Sequence, residues 1–206
     1  GGRVGAEAFK TLLLIRRGAN NDIPIDSRQK IWKIKRRAPS PENVQRALEI
    51  VKSEPTKEGQ LEWTFAKETV LLDSLMKSRP EVEVEVQTIQ IGPLVLVSNP
   101  AEYFVEYGLE IKKQSKFPFT FPVELANGCV GYVPTEEAFG PHGGGYETRL
   151  TSYSNLEITA GTQFQDVGLD LANQMKPGAI PLPPPAPPCS SARPAWTTPN
   201  STSPTP

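Results

Sequence analysis

Carboxylates and tyrosines are the side chains of this sequence with enough presence to do chemistry. His142 is the single histidine, and Cys129 and Cys189 are the two cysteines. Glu81, Glu83 and Glu85 alternate strictly with Val82, Val84 and Val86. Three carboxylates at that spacing share one strand face. Such a row can form a metal or acid–base cluster, but it reads as a solvated face with the valines turned inward. Glu102, just after Asn99-Pro100-Ala101, reads from its surroundings as an acid in the first turn of a helix, where the macrodipole stabilises it. Tyr132 reads as a strand aromatic packed in the core. His142 lies in the run Gly140-Pro141-His142-Gly143-Gly144-Gly145 and reads as a surface loop residue rather than a ligand. Asn127 either positions a ligand by hydrogen bonding or closes a turn. Gly128 and Gly131 mark a close backbone approach or a bulge.

These residues need elements to hold them. Val4, Ala8, Leu12 and Ile15 recur at helical spacing over 4–16, and Leu12-Leu13-Leu14-Ile15 forms a core patch. Ile31 to Arg36 is a short basic strand. Ser40-Pro41-Glu42 combines a capping hydroxyl, proline at the first helical position and an acid in the first turn. The helix it opens presents Val44, Leu48 and Val51 and ends before Pro55. A longer helix over about 60–78 turns Phe65, Leu72 and Leu75 to the core. The alternating strand from Glu81 continues through Ile89 and Ile91 to the turn signal Gly92-Pro93. Leu94-Val95-Leu96-Val97 is a continuous apolar run, the pattern of a strand covered on both faces. A helix from Ala101 follows, with Phe104, Val105, Leu109 and Ile111 inward and Lys112, Lys113 and Lys116 toward its C-terminal end. Strand to loop to helix is a common place for chemistry, because the strand's C-terminal end opens into a crevice. Strands at 120–125 and 130–133 and a last helix at about 160–175, with Phe164, Val167, Leu169 and Leu171, complete a mixed α/β order.

Composition bounds the reading. The chain has 206 residues, 37% hydrophobic and 22% charged, a globular balance with material for one core. Lys and Arg number 22 against 23 Asp and Glu, which argues against a nucleic-acid partner. No apolar run approaches the ~20 residues needed to cross a bilayer. Cys129, placed in a strand, and Cys189, in a tail, are expected to be unpaired. The chain opens Gly1-Gly2-Arg3 without a methionine or a leader pattern, and reads as a fragment or a mature product. Eleven of the 22 prolines fall between Pro177 and Pro206. Residues 177–206 therefore read as a proline-rich disordered or polyproline-like tail, the functional alternative being a PxxP ligand for an aromatic groove at Pro184 to Pro187.

Three stretches carry a resemblance. LVLVSNPAEYFVEYGLEIKK at 94–113, ELANGCVGYVPTEEAF at 124–139 and GGYETRL at 144–150, in this order and spacing, resemble the neutral/alkaline (non-lysosomal) ceramidases, especially short bacterial relatives. Weaker similarity extends over nearly all of 1–176. The resemblance implies that 1–176 is the C-terminal part of a mixed α/β catalytic domain. It implies zinc-dependent hydrolysis of the amide of ceramide or a related N-acyl amine lipid, with zinc held by two histidines, a glutamate and a tyrosine. The family's turn glutamate falls on Glu102 and its strand-closing tyrosine on Tyr132, which become the expected metal ligands. Tyr132 is also expected to stabilise the developing oxyanion. Tyr146 and Glu147 match a family feature without an assignable role.

The departures define further expectations. Ala101 stands where the family has glycine, which costs stability if that position needs a positive φ. The family's metal histidines, its further catalytic histidine and its serine nucleophile all belong to an N-terminal part that is not among these residues. The isolated chain is therefore expected to bind zinc poorly and to be inactive. Its expected partners are a lipid-like substrate, a membrane surface touched peripherally, and the missing N-terminal half of the same domain, which would dock on exposed apolar surface. Secreted or membrane-associated localisation is implied. The rival reading is a truncated relative without catalysis, acting as a binding or scaffold module through its proline-rich tail.

Overall fold

Two unlike faces of one sheet organise the molecule. The structure is a computed structural model that describes residues 1–14 and 22–180. Its order is α1 (Gly2–Leu14), β1 (Ile25–Lys35), α2 (Pro41–Val51), α3 (Gln60–Ser78), β2 (Glu81–Ile91), β3 (Leu94–Ser98), β4 (Glu102–Tyr103), α4 (Val105–Gln114), β5 (Phe119–Val123), β6 (Tyr132–Val133) and α5 (Ala160–Asn173). A short 3-10 turn spans Glu137–Phe139. The four-stranded sheet runs β1-β2-β3-β5, antiparallel except for the parallel β3–β5 pair, and β4 and β6 form a separate parallel ribbon. The mixed α/β class expected from the sequence is the observed one. Of the proline-rich stretch 177–206, residues 181–206 lie outside the described residues, as does Ile15.

Local signals placed several elements as read. The Ser40 side chain accepts from the Asn43 amide at 3.2 Å and caps α2. The buried residue of α2 is Ala47, however, whereas Leu48 faces solvent; α2 packs along α3, whose own buried residues are Ala66 and Leu72. β1 extends well beyond the expected 31–36, because all eleven of its residues pair with β2. No residue of α1 from Gly2 to Leu13 is buried, so Leu12 and Leu13 are not the core patch expected of them.

On the inner face of the sheet, Ile34, Val84, Val86, Val95 and Val97 pack with Phe164, Leu169 and Leu171 of α5. Trp32 and Phe164 meet edge to face at 5.7 Å. A Cβ on Gly168 would come within 2.6 Å of Val97, so this glycine lets α5 lie close on the sheet. Polar residues on the buried face find partners. The Gln90 side-chain amide donates to the carbonyls of Gly92 and Lys176, at 3.0 and 2.7 Å. The Gly178 amide donates to Gly92 O at 3.0 Å, fastening the chain beyond α5 to the β2–β3 turn.

The outer face is divided. At one end Lys33 opposes Glu83 and Lys35 opposes Glu81, the solvated glutamate face read from the alternation. At the other end Ile25, Ile91, Leu94 and Phe119 form one row across four strands, and Ile89, Leu96 and Phe121 form the next. Ile25 is 76% exposed and Phe121 48%. β3 is therefore covered on one face only: Val95 and Val97 are buried while Leu94 and Leu96 are half-exposed. The two-sided burial expected from its apolar run is not met within these residues. Among the described residues no helix is long and apolar enough to cross a membrane.

Candidate functional site

Glu102 and Tyr132, thirty residues apart in sequence, are direct partners across the β4–β6 ribbon. Backbone bonds set that register. The Glu102 amide donates to Gly131 O at 2.9 Å, the Phe104 amide to Val133 O at 3.3 Å, and the Tyr132 amide to Tyr153 O at 2.9 Å. Glu102 is thus a strand residue, and the helix expected from Ala101 begins at Val105. The reading of Glu102 as a first-turn acid is corrected accordingly, because pairing with the downstream segment extends residues 102–103. The inward face of α4 is also different from the expected one. Tyr107 and Ile111 are buried, whereas Val105 and Leu109 are exposed. Tyr107 stacks on Tyr103 at 4.6 Å, and Gly161 of α5 makes the room, since a Cβ there would fall 2.3 Å from the Tyr107 ring.

Upstream of Glu102, Asn99 builds the turn. Its side-chain oxygen accepts from the Ala101 amide at 3.0 Å, and its own amide donates to Val123 O at 3.0 Å. Ala101 is fully buried and is not among the residues with positive φ, so the alanine is accommodated without backbone strain. The 124–131 loop closes over this turn through Leu125 N to Ala101 O, Ala126 N to Asn99 O and Val130 N to Pro100 O, at 3.2, 3.0 and 2.8 Å. The strand expected over 130–133 shrinks to Tyr132–Val133, because Gly131 has φ +82° and breaks the extended run. Cys129 consequently sits in an exposed loop, with its thiol free.

Tyr132 lies in a group of tyrosines. Tyr146 donates its hydroxyl to the Tyr132 oxygen at 3.2 Å, with the rings edge to face at 5.3 Å, and Tyr153 stands at 6.3 Å. The bond to Tyr146 first, and then the Glu102 carboxylate, hold the Tyr132 phenol neutral well above the ordinary tyrosine range. Tyr146 and Tyr153 escaped a physical assignment from sequence; the Tyr146-Glu147 pair was the visible signal for the first.

The segment bearing these tyrosines is fastened from behind. Arg149 pairs with Glu62 at 3.0 Å and stacks on the Phe65 ring at 3.7 Å. The Ser152 amide donates to Glu68 at 3.3 Å. Asn155, fully buried, donates to the carbonyls of Thr151 and Ser152 at 3.0 and 2.7 Å and accepts from Arg36. Arg37 reaches Leu156 O at 2.8 Å. A cleft of about 370 Å³ between α2 and α3, with Arg46, Phe65 and Arg149 in its walls, contains neither Glu102 nor Tyr132.

Zinc accepts carboxylate oxygen, and a phenol oxygen beside it is chemically compatible, so the side chains of Glu102 and Tyr132 are oxygen donors of a kind a metal could use. His142 is exposed in its glycine-rich loop. Among the described residues no group of three or more His, Cys, Asp and Glu side chains converges to hold a metal.

No protein-family profile matches the chain, and no curated protein matches it. Among solved structures, it is similar to the neutral ceramidase from Pseudomonas aeruginosa, with 18% identity and a TM-score of 0.45 over 76% of this chain and 30% of that one. It is also similar to a ceramidase complexed with C2, with 17% identity and a TM-score of 0.46 over 86% of this chain and 35% of that one. The chain thus spans about a third of the length of these two proteins.

Proposed function

We propose that this chain is the C-terminal part of a zinc-dependent amidohydrolase acting on the N-acyl bond of ceramide or a related N-acyl amine lipid, and that it is inactive alone. The observation that carries the reading is the register of β4 on β6. It sets the two residues singled out by the sequence resemblance, Glu102 and Tyr132, side by side on paired strands. In the complete enzyme these two would supply oxygen ligands, and histidines from outside these 206 residues would supply the others. Bound zinc supplies Lewis acidity toward the amide carbonyl and an activated water. Tyr132 has a second role in this reading, donating its hydroxyl toward oxyanion charge while the bond from Tyr146 holds its orientation. The apolar end of the outer sheet face, with Ile25, Leu94, Phe119 and Phe121, is the surface on which the remainder of the catalytic domain would dock.

The test begins with the gene upstream of Gly1. A paired-histidine motif in frame is expected, and the complete protein should then bind zinc and hydrolyse an N-acyl amide. Glu102→Gln and Tyr132→Phe should each lose activity, with zinc content falling in the first. Full activity in Glu102→Gln would sink the assignment, and a closed upstream frame would leave the scaffold reading in its place.

A further inference from the structure

We propose that Asn127-Gly128 is a spontaneous deamidation site whose conversion loosens the turn that carries Glu102. It is the one Asn-Gly pair in the sequence. Asn127 is exposed, at φ +62°, in the loop that closes over Asn99, Pro100 and Ala101. Among the described residues no group accepts from the Gly128 amide, which leaves the nucleophile of the reaction open, and glycine has no side chain to obstruct its approach.

The reaction needs only water. The Gly128 backbone nitrogen attacks Asn127 Cγ, forming an N–C bond as the Cγ–Nδ2 bond breaks. The amide proton leaves with the side-chain nitrogen as ammonia, and a succinimide remains. Water then opens either carbonyl, giving aspartate or isoaspartate; nothing is oxidised or reduced.

The consequence follows from what Asn127 touches. Its Nδ2 donates to Glu85 Oε1 at 3.2 Å and to Gln87 Oε1 at 3.3 Å, pinning the loop to the rim of the sheet. Deamidation removes that donor and places a second carboxylate against Glu85, turning an attraction into a like-charge contact. The same loop bonds to Asn99, Pro100 and Ala101 and ends at Gly131, whose carbonyl accepts from the Glu102 amide. Loss of the pin is therefore transmitted to the β4–β6 register. The fully buried Asn155 lies in the same protein as an internal control.

The modification stands independently of the amidase reading and is tested on the 206-residue chain. Incubation at mildly alkaline pH in ¹⁸O-labelled water, followed by peptide mapping, should show label at residue 127 ahead of residue 155, and none at 127 in Asn127→Gln. Amide hydrogen exchange should be faster at Glu102 and Tyr132 in Asn127→Asp than in the parent, and Glu85→Gln added to that variant should restore much of the protection. Absence of label at 127 overturns the site. Unchanged exchange in Asn127→Asp, or no recovery with Glu85→Gln, overturns the link to the turn.

Discussion

Gly131→Ala tests the framework of the candidate site at its tightest point. Gly131 holds φ +82°, and a Cβ built there would lie 1.9 Å from Tyr153 O and 2.6 Å from its carbonyl carbon. Backbone on both sides leaves no flexible side chain to yield. The positive φ alone costs an alanine about 1–2 kcal/mol. Relief of the overlap must part the 131–132 segment from Tyr153, straining the Tyr132 amide bond to Tyr153 O and the Glu102 amide bond to Gly131 O. Each such bond contributes about 0.5–1.5 kcal/mol. The expected loss is about 2–5 kcal/mol, a large share of the roughly 5–15 kcal/mol available to a domain. Urea denaturation followed by tryptophan fluorescence measures it, with amide exchange at Glu102 and Tyr132 as the local readout. A loss within about 0.5 kcal/mol, the range of an ordinary surface substitution, would refute the reasoning that this glycine sets the ribbon's register.

Asn99→Ala removes the acceptor of the buried Ala101 amide and should destabilise by about 1–3 kcal/mol in the same assay. Phe121→Lys on the open sheet face should change stability by no more than about 0.5 kcal/mol while reducing aggregation and dye binding by the chain. A large loss of stability would show that face to be covered in the isolated chain. Burial, chiefly, holds the Tyr103 phenol far above its ordinary value, and its hydroxyl donates to Gly161 O at 2.6 Å. Because the folded pKa is raised, this stabilisation is complete below about pH 10 and is lost as pH rises from there through the folded value. Ultraviolet titration should show one late-ionising phenol fewer in Tyr103→Phe, and an unchanged titration would contradict the burial argument.

Elements set by their own residues were legible. Ser40, Pro41 and Glu42 mark the start of α2 by local chemistry, and the alternation from Glu81 to Val86 dictates a strand whose glutamates face water beside Lys33 and Lys35. The span of α3, read as about 60–78, follows equally from helical periodicity. Glu102 and Tyr132 were singled out through a resemblance of motifs, and neither position nor spacing in the chain says that they touch.

Tertiary structure decided that. The segment from Ala101 to Lys113 has the local character of one helix, and partners thirty residues downstream turned Glu102 and Tyr103 into strand. Tyr107 rather than Leu109 turned inward because Gly161, on a different helix, leaves space for its ring. Leu94 and Leu96 are written as buried residues, yet whether both faces of a strand are covered depends on which layers pack against the sheet. Helix caps and side-chain alternation are properties of neighbours in sequence, readable from one chain. Register between distant strands and the covering of a sheet face depend on which surfaces meet, so only the folded arrangement determines them.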